Sequence, residues 1–218
     1  MYELLKTADG SITYRNTALG VTYRSIHGAE SESRYVFFEG TGLSRRDSPW
    51  RVLELGFGTG LNFAVTCREA QAAGVELEYV SLEPEPIPRD LWLVEPSWRA
   101  LEFGTPLVQG SVRLKVEPQK WQETSLAPDT FHACYHDPFG PSAAPECWET
   151  ACFEWSARAL VNDAVLATFG ASTSARAAMK QAGYYVGTLK GAHGKREMTV
   201  ASKSEAAIDK ARPWKRDR

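Results

Sequence analysis

The pattern of apolar and polar positions changes twice along the chain. From Asp9 to about Asp47 it is short and extended. Ser11–Arg15 and Val21–Ile26 read as strands around the turn-rich Asn16–Gly20, and Arg34–Glu39 reads as a third extended run stopped by Gly40. From Arg51 to Leu189, strand-like and helix-like runs alternate. Arg51–Leu55, Leu77–Leu82, Ser111–Val116, Phe131–His136 and Val165–Phe169 read as strands. Leu61–Ala73 reads as a helix closed by Gly74, and Trp148, Cys152, Trp155 and Ala159 recur at helical spacing within Glu146–Leu160. Ser172 is placed to cap a helix over Ala175–Ala182, which stops at Gly183. Beyond Tyr184–Leu189, a turn at Gly191–Gly194 leads into Arg196–Ser202, a candidate hairpin partner.

This alternation predicts an α/β fold, a mostly parallel sheet with helices on both faces. Ligands in such sheets bind beyond the carboxyl ends of the strands, where strand order reverses. The expected organisation is a small β-appendage over residues 1–47, the α/β domain over 48–203, and a basic tail over 204–218 without fixed structure.

Composition narrows the class. With 43% hydrophobic and 24% charged residues, the chain is neither disordered nor collagen-like, and at 218 residues it can bury a core without disulfide staples. Cys67, Cys134, Cys147 and Cys152 form no C-x-x-C pair, so free thiols in a reducing cytoplasm are expected, and no metal site. No basic segment with an apolar run opens the chain, and no apolar stretch approaches membrane-spanning length, so neither a signal peptide nor a membrane association is expected. The net charge of −2 advertises no nucleic-acid partner. From Lys190 onward, however, nine Lys or Arg face four Asp or Glu. His193, with Lys190, Lys195 and Arg196, forms a basic loop that can meet phosphate or simply be solvated.

The sharpest local signal is Glu54-Leu55-Gly56-Phe57-Gly58-Thr59-Gly60-Leu61-Asn62, a buried strand that runs into G-x-G-x-G and opens a helix. Glycines there allow a tight turn and let a ligand lie against bare backbone at a helix amino terminus. Dinucleotide enzymes use G-x-G-x-x-G. S-adenosyl-L-methionine (SAM) enzymes use E/D-x-G-x-G-x-G, and both the acidic residue at Glu54 and the short third spacing favour SAM. Glu83, ending the next strand, is placed to accept the two ribose hydroxyls of an adenosine ligand.

Asp137-Pro138-Phe139 follows the fourth strand of the alternation, so it falls at the carboxyl edge of the sheet. The corner is similar to the D/N-P-P-Y/F turn of enzymes that methylate exocyclic amines. Asp137 can orient an amine lone pair, Pro138 stiffens the turn and removes a donor, and the Phe139 ring can cover a flat base or the methyl donor. His136 is expected to point away from this cleft, because neighbours on a strand alternate.

Several blocks in order resemble the MnmC-type methyltransferase domain, from Thr7 to Lys203. They are Thr7-Ala8-Asp9-Gly10-Ser11, His27–Phe37, Gly56–Phe63, Asp137–Pro141 with Pro145 and Trp148, Ala167–Phe169, Gln181–Tyr184 and Lys195–Met198. The resemblance implies a class I SAM-dependent methyltransferase fold, Rossmann-like with seven strands. It implies methylation of the aminomethyl group on a tRNA wobble uridine, often 2-thiolated, with the anticodon stem-loop as substrate and S-adenosyl-L-homocysteine as product. Carried over by position, Gly56, Phe57, Gly58 and Gly60 hold the methionine part of SAM, with Glu54 and Asn62 beside them. Glu83 holds the ribose, and Asp137, Pro138 and Phe139 form the reaction centre. Glu32 and Ser33 are placed near the cofactor. Where relatives have Gly-Asp for the adenine contact, this chain reads Val116-Glu117-Pro118, so Glu117 is the candidate substitute. Bifunctional relatives carry a flavin oxidase after this domain; none is expected within these 218 residues, and so no FAD. A SAM enzyme acting on an amine in a protein or small molecule is the competing reading.

Overall fold

The period-two burial of the strands builds a sheet with two different cores. The computed structural model describes residues 1–215. In β4 (Trp50–Leu55), Trp50 and Val52 enter one core and Leu53 and Leu55 the other. β5 (Leu77–Leu82), β7 (Val112–Glu117), β8 (Phe131–His136) and β9 (Leu160–Thr168) complete the parallel part. β10 (Tyr185–Lys190) and β11 (Glu197–Ser202) form the antiparallel hairpin that the turn at Gly191 predicts, and β11 joins β9.

These seven strands make the expected sheet, but among the described residues two short edge strands extend it to nine. β6 (Leu107–Gln109) folds back antiparallel on β7, and β12 (Arg212–Pro213) pairs with β10. The order is β12-β10-β11-β9-β8-β4-β5-β7-β6. The second edge strand corrects the expectation of an unstructured tail. Arg212–Pro213 is paired, a short helical turn covers Glu205–Ile208, and Pro213 sits on an edge, where a strand tolerates a missing donor. Residues 216–218 of that tail lie outside the described residues.

Helices cover both faces. α2 (Leu61–Ala73) packs Phe63, Cys67 and Ala70 into the first core, and α3 (Thr150–Ala159) and α4 (Thr173–Gln181) pack Phe153, Trp155 and Met179 into the second. Phe63 is fully buried, with edge-on contacts to Tyr79 and Trp98 at 5.3 and 4.9 Å, and truncating such a ring costs about 3–5 kcal/mol. Ser172 caps α4 by accepting from the Ala175 N–H. The single helix read over Glu146–Leu160 is instead a short turn, Pro145–Trp148, followed by α3, with the break at Glu149, whose backbone is extended.

The N-terminal part is only half β. β1 (Tyr2–Lys6), β2 (Ile12–Asn16) and β3 (Val21–Thr22) form a separate antiparallel sheet. Then α1 (Ala29–Ser33) runs directly into a wide helical turn over Arg34–Glu39, where a strand is expected. The run Tyr35–Phe38 has strand-like residue types, but Val36, Phe37 and Phe38 are all buried, which a one-sided edge strand does not allow. Phe37 packs on Tyr135 and Phe38 on Trp50, so this segment belongs to the first core rather than to an appendage.

Candidate active site

Strand order reverses between β4 and β8: from β4 the chain moves outward to β5 and β7, then returns to the other side of β4 as β8. The crevice beyond these two strands holds both sequence signals, the glycine loop after Leu55 and the corner after His136. The two loops touch. A Cβ on Gly56 would meet the Asp137 carbonyl oxygen at 2.6 Å. Gly58 has φ +51, and a Cβ there would stand 2.9 Å from the Tyr23 ring. Their backbones line a cleft of about 880 Å³, within the range of small-ligand sites.

Glu83 leaves the end of β5 into this cleft. Its Oε2 accepts from Gly58 N–H at 2.8 Å and its Oε1 from Glu85 N–H at 3.2 Å, which leaves further lone pairs on both oxygens. Burial pushes its pKa up to about 7, against those hydrogen bonds.

Asp137 leaves β8 on the face of the first core, while His136 points to the other face, between Trp148 and Phe153 at ring distances of 4.8 and 4.9 Å. The Asp137 side chain is about 6% exposed and pairs with Arg24. Asn62 Nδ2 donates to the same Asp137 Oδ2 at 2.9 Å and also to Glu54 Oε1 at 2.9 Å. Ser33 Oγ donates to Asn62 Oδ1 at 2.5 Å, and Ser81 Oγ to Glu54 Oε2 at 2.8 Å. Burial and the Asp137 charge raise the Glu54 pKa to about 8, so Glu54 holds a proton at neutral pH. Arg24 keeps its charge: burial opposes it, but Asp137 and Glu32 outweigh that. Burial likewise drives the Asp137 pKa up, while the charge and hydrogen bond of Arg24, which never gives up its proton, pull it back and favour the carboxylate.

This geometry redistributes the expected cofactor contacts. Gly56, Phe57, Gly58, Glu83, Asp137, Pro138 and Phe139 line the cleft. Glu54, Asn62 and Ser33 are fully buried behind Asp137 and support it. Glu32 is buried beside them, pairing with Lys195 at 2.5 Å and accepting from Ser25 N–H. Gly60 also lies off the lining; it turns the chain into α2 with φ +74, and a Cβ there would meet the Phe57 ring at 2.8 Å. Glu117 lies off this lining and pairs with Lys115; the lining after β7 comes instead from Gln119, Lys120, Trp121 and Gln122. The basic loop is tied down too: Lys195 is on Glu32, and His193 Nε2 lies 3.1 Å from both Gly28 O and Ser31 Oγ.

Sequence reasoning misses Arg24 and Tyr23. Both come from the N-terminal sheet, and nothing in Val21–Ile26 marks them, because their partners lie far along the chain. Tyr23 packs on Phe139 at 5.3 Å and walls the cleft. Among the described residues, no cluster of three or more His, Cys, Asp or Glu is placed to hold a metal ion, and no helix is long and apolar enough to cross a membrane.

Comparison with known proteins agrees with this architecture. A family profile described as S-adenosyl-L-methionine-dependent methyltransferase matches residues 106–204, which include the Asp137 corner. The tRNA 5-methylaminomethyl-2-thiouridine biosynthesis bifunctional protein MnmC of Aeromonas hydrophila is 30% identical, over 91% of this chain and 35% of that protein. The same-named protein of Burkholderia multivorans is 31% identical, over 88% of this chain and 33% of its own. The chain thus spans about a third of the length of these relatives. The crystal structure of MnmC2 from Aquifex aeolicus superposes on the whole chain and 79% of its own, with a TM-score of 0.80 and 25% identity. With the switch-point cleft, the glycine loop and these matches in one molecule, the chain is an MnmC-like, S-adenosyl-L-methionine-dependent methyltransferase domain.

Proposed function

We propose that this chain methylates the aminomethyl nitrogen of 5-aminomethyl-(2-thio)uridine at the tRNA wobble position, with SAM as donor, in the cytoplasm. One observation carries the reading. Asp137, at the switch point and opposite the glycine loop, has Oδ2 held by two protein donors, while no described residue donates to Oδ1. That free oxygen fits an amine.

The residues present fit SAM. Gly56 and Gly58 present bare backbone to the cleft, and Glu83 retains lone pairs for ribose hydroxyls. Gly56, Phe57 and Gly58 would hold the methionine part, and Glu83 the ribose. When bound, the cofactor supplies an electrophilic methyl on a sulfonium. The chain's own residues do the rest. Asp137 Oδ1 accepts an amine N–H and aims the nitrogen lone pair. Pro138 offers no competing donor. Phe139 and Tyr23 form an apolar wall that excludes water, and the corner is pinned by Trp148 Nε1 donating to the Phe139 carbonyl at 2.8 Å.

The test is methyl transfer from labelled SAM to tRNA lacking the terminal wobble methyl, with nucleoside analysis. Label in methylaminomethyl-uridine is expected. No label on tRNA, with SAM still bound in a calorimeter, would move the substrate to an amine in a protein or small molecule.

A further inference from the structure

Arg24 is the charged one of the two donors on Asp137 Oδ2. It arrives from the N-terminal sheet just after β3, lies over the Phe37 ring at 5.2 Å, and is buried on Asp137 Oδ2. The other groups facing this centre are Glu54 from β4, Tyr79 from β5, Glu83 after β5, and Glu32 from α1. Glu54 carries a proton at neutral pH, Tyr79 stays a neutral phenol in its burial, and Glu32 is paired with Lys195. Glu83 turns its two oxygens to the Gly58 and Glu85 N–H groups, so the charges in direct contact at the reaction centre are Arg24 and Asp137, and they cancel.

An alkyl amine is protonated at neutral pH, with a pKa of about 10.4 when it resembles lysine. Its ammonium form has no lone pair to donate. A bare buried carboxylate stabilises that ammonium and raises its pKa further, whereas a neutralised carboxylate in a desolvated site favours the free base. We propose that Arg24 is a positioning residue for methyl transfer: by holding Oδ2 of Asp137 it cancels the carboxylate's charge, so that the ammonium gives its proton to water as it binds and Oδ1 receives the free base, whose N–CH3 bond forms as the donor S–CH3 bond breaks to leave S-adenosyl-L-homocysteine. The inference rests on the amine-methylation reading above.

The experiment is the pH profile of kcat at saturating SAM and tRNA, which reports groups in the bound complex, for wild type, Arg24→Gln and Arg24→Lys. Arg24→Gln moves the acid limb up by about one pH unit or more, because Asp137 then holds the ammonium. Its kcat falls by about tenfold or more at pH 7 and returns to within roughly threefold of wild type near pH 9.5, while KM for tRNA does not rise. Arg24→Lys, which keeps the charge, leaves the limb within about half a unit. A kcat loss of the same size at every pH overturns the proposal, as does a fixed limb with SAM affinity weakened beyond about tenfold, which would make Arg24 a cofactor anchor. Should Arg24→Gln not fold, the wild type decides. An anticodon stem-loop labelled with 15N at the amine, bound with S-adenosyl-L-homocysteine at pH 7, shows the free-amine shift. An ammonium shift overturns the proposal. A wild type that methylates no tRNA instead removes the reading beneath it, an outcome separable from an active wild type whose limb ignores Arg24.

Discussion

His136 and Asp137 are neighbours in the chain and both are buried, yet they sit in opposite environments. Asp137 enters a face where Arg24, Asn62, Ser33 and Glu54 satisfy one another. His136 enters the second core, where Trp148 and Phe153 flank it and neither ring nitrogen has a partner of good geometry; the Cys147 backbone makes only a weak contact. Burial holds the His136 pKa down at about 3, so the ring is neutral and packs as an aromatic. The contrast teaches that a buried titratable group next to a cleft is not by itself functional. What distinguishes Asp137 is a network that holds one of its oxygens and leaves the other free.

Removing Asp137's charge should cost the most activity. Asp137→Asn is expected to lower turnover by roughly 10²-fold or more while S-adenosyl-L-homocysteine affinity stays within about tenfold, measured by single-turnover transfer and calorimetry. Unchanged turnover would strip Asp137 of its role. Asp137→Ala adds a stability loss of about 3 kcal/mol, because it leaves Arg24 as a buried cation without its main partner. In either variant Glu54 loses the repulsion that Asp137 adds to its burial, so it should ionise more readily and partly replace the lost anion.

Glu54→Gln sharpens the contrast from the other end of the network. The Glu54 carboxyl has a raised folded pKa, about 8 against 4.5. The native state therefore keeps a proton that the unfolded chain releases, and stability declines as pH rises from about 4.5 to about 8. Gln carries no such proton. Relative to its offset from wild type at pH 5, Glu54→Gln should gain about 4 kcal/mol by pH 8.5 in urea melts. A difference independent of pH would show that Glu54 is charged throughout.

How much of this was legible from the chain follows from the range of the forces involved. The glycine loop, Glu83 and the Asp137 corner are local patterns, strand then turn then helix, and they stand at the crevice where the alternation puts them. Glu54, Asn62, Glu32 and Ser33 are visible as motif residues, but a motif does not say whether a side chain lines a cleft or stands behind it; burial decides, and it places all four behind. Arg24 has no local signature at all. Its partner is 113 positions away, and only the docking of the N-terminal sheet brings them together. Arg34–Glu39 misleads because strand propensity there is overridden by packing on Tyr135 and Trp50.

The smallest expected effect lies on the apolar side. If His136 acts only as an aromatic filler, Phe should replace it. The folded pKa of about 3 lies below the free value of 6.5, so the unfolded chain takes up a proton that the native state refuses. Wild-type stability is thus unaffected by this group above about pH 6.5 and is lost progressively as pH falls from there toward about 3. His136→Phe abolishes that share. Near pH 8 the variant should differ from wild type by about 1 kcal/mol or less, since a flat aromatic ring is kept and two poorly partnered nitrogens disappear, against some crowding from the larger ring. Between pH 8 and pH 5.5 its stability relative to wild type should rise by about 1.4 kcal/mol, the cost of one pH unit of refused protonation. Melts at the two pH values read the difference directly. Equal offsets at both would mean that His136 takes a proton in the folded state, and the polar and apolar sides of β8 would then be less different than their partners make them.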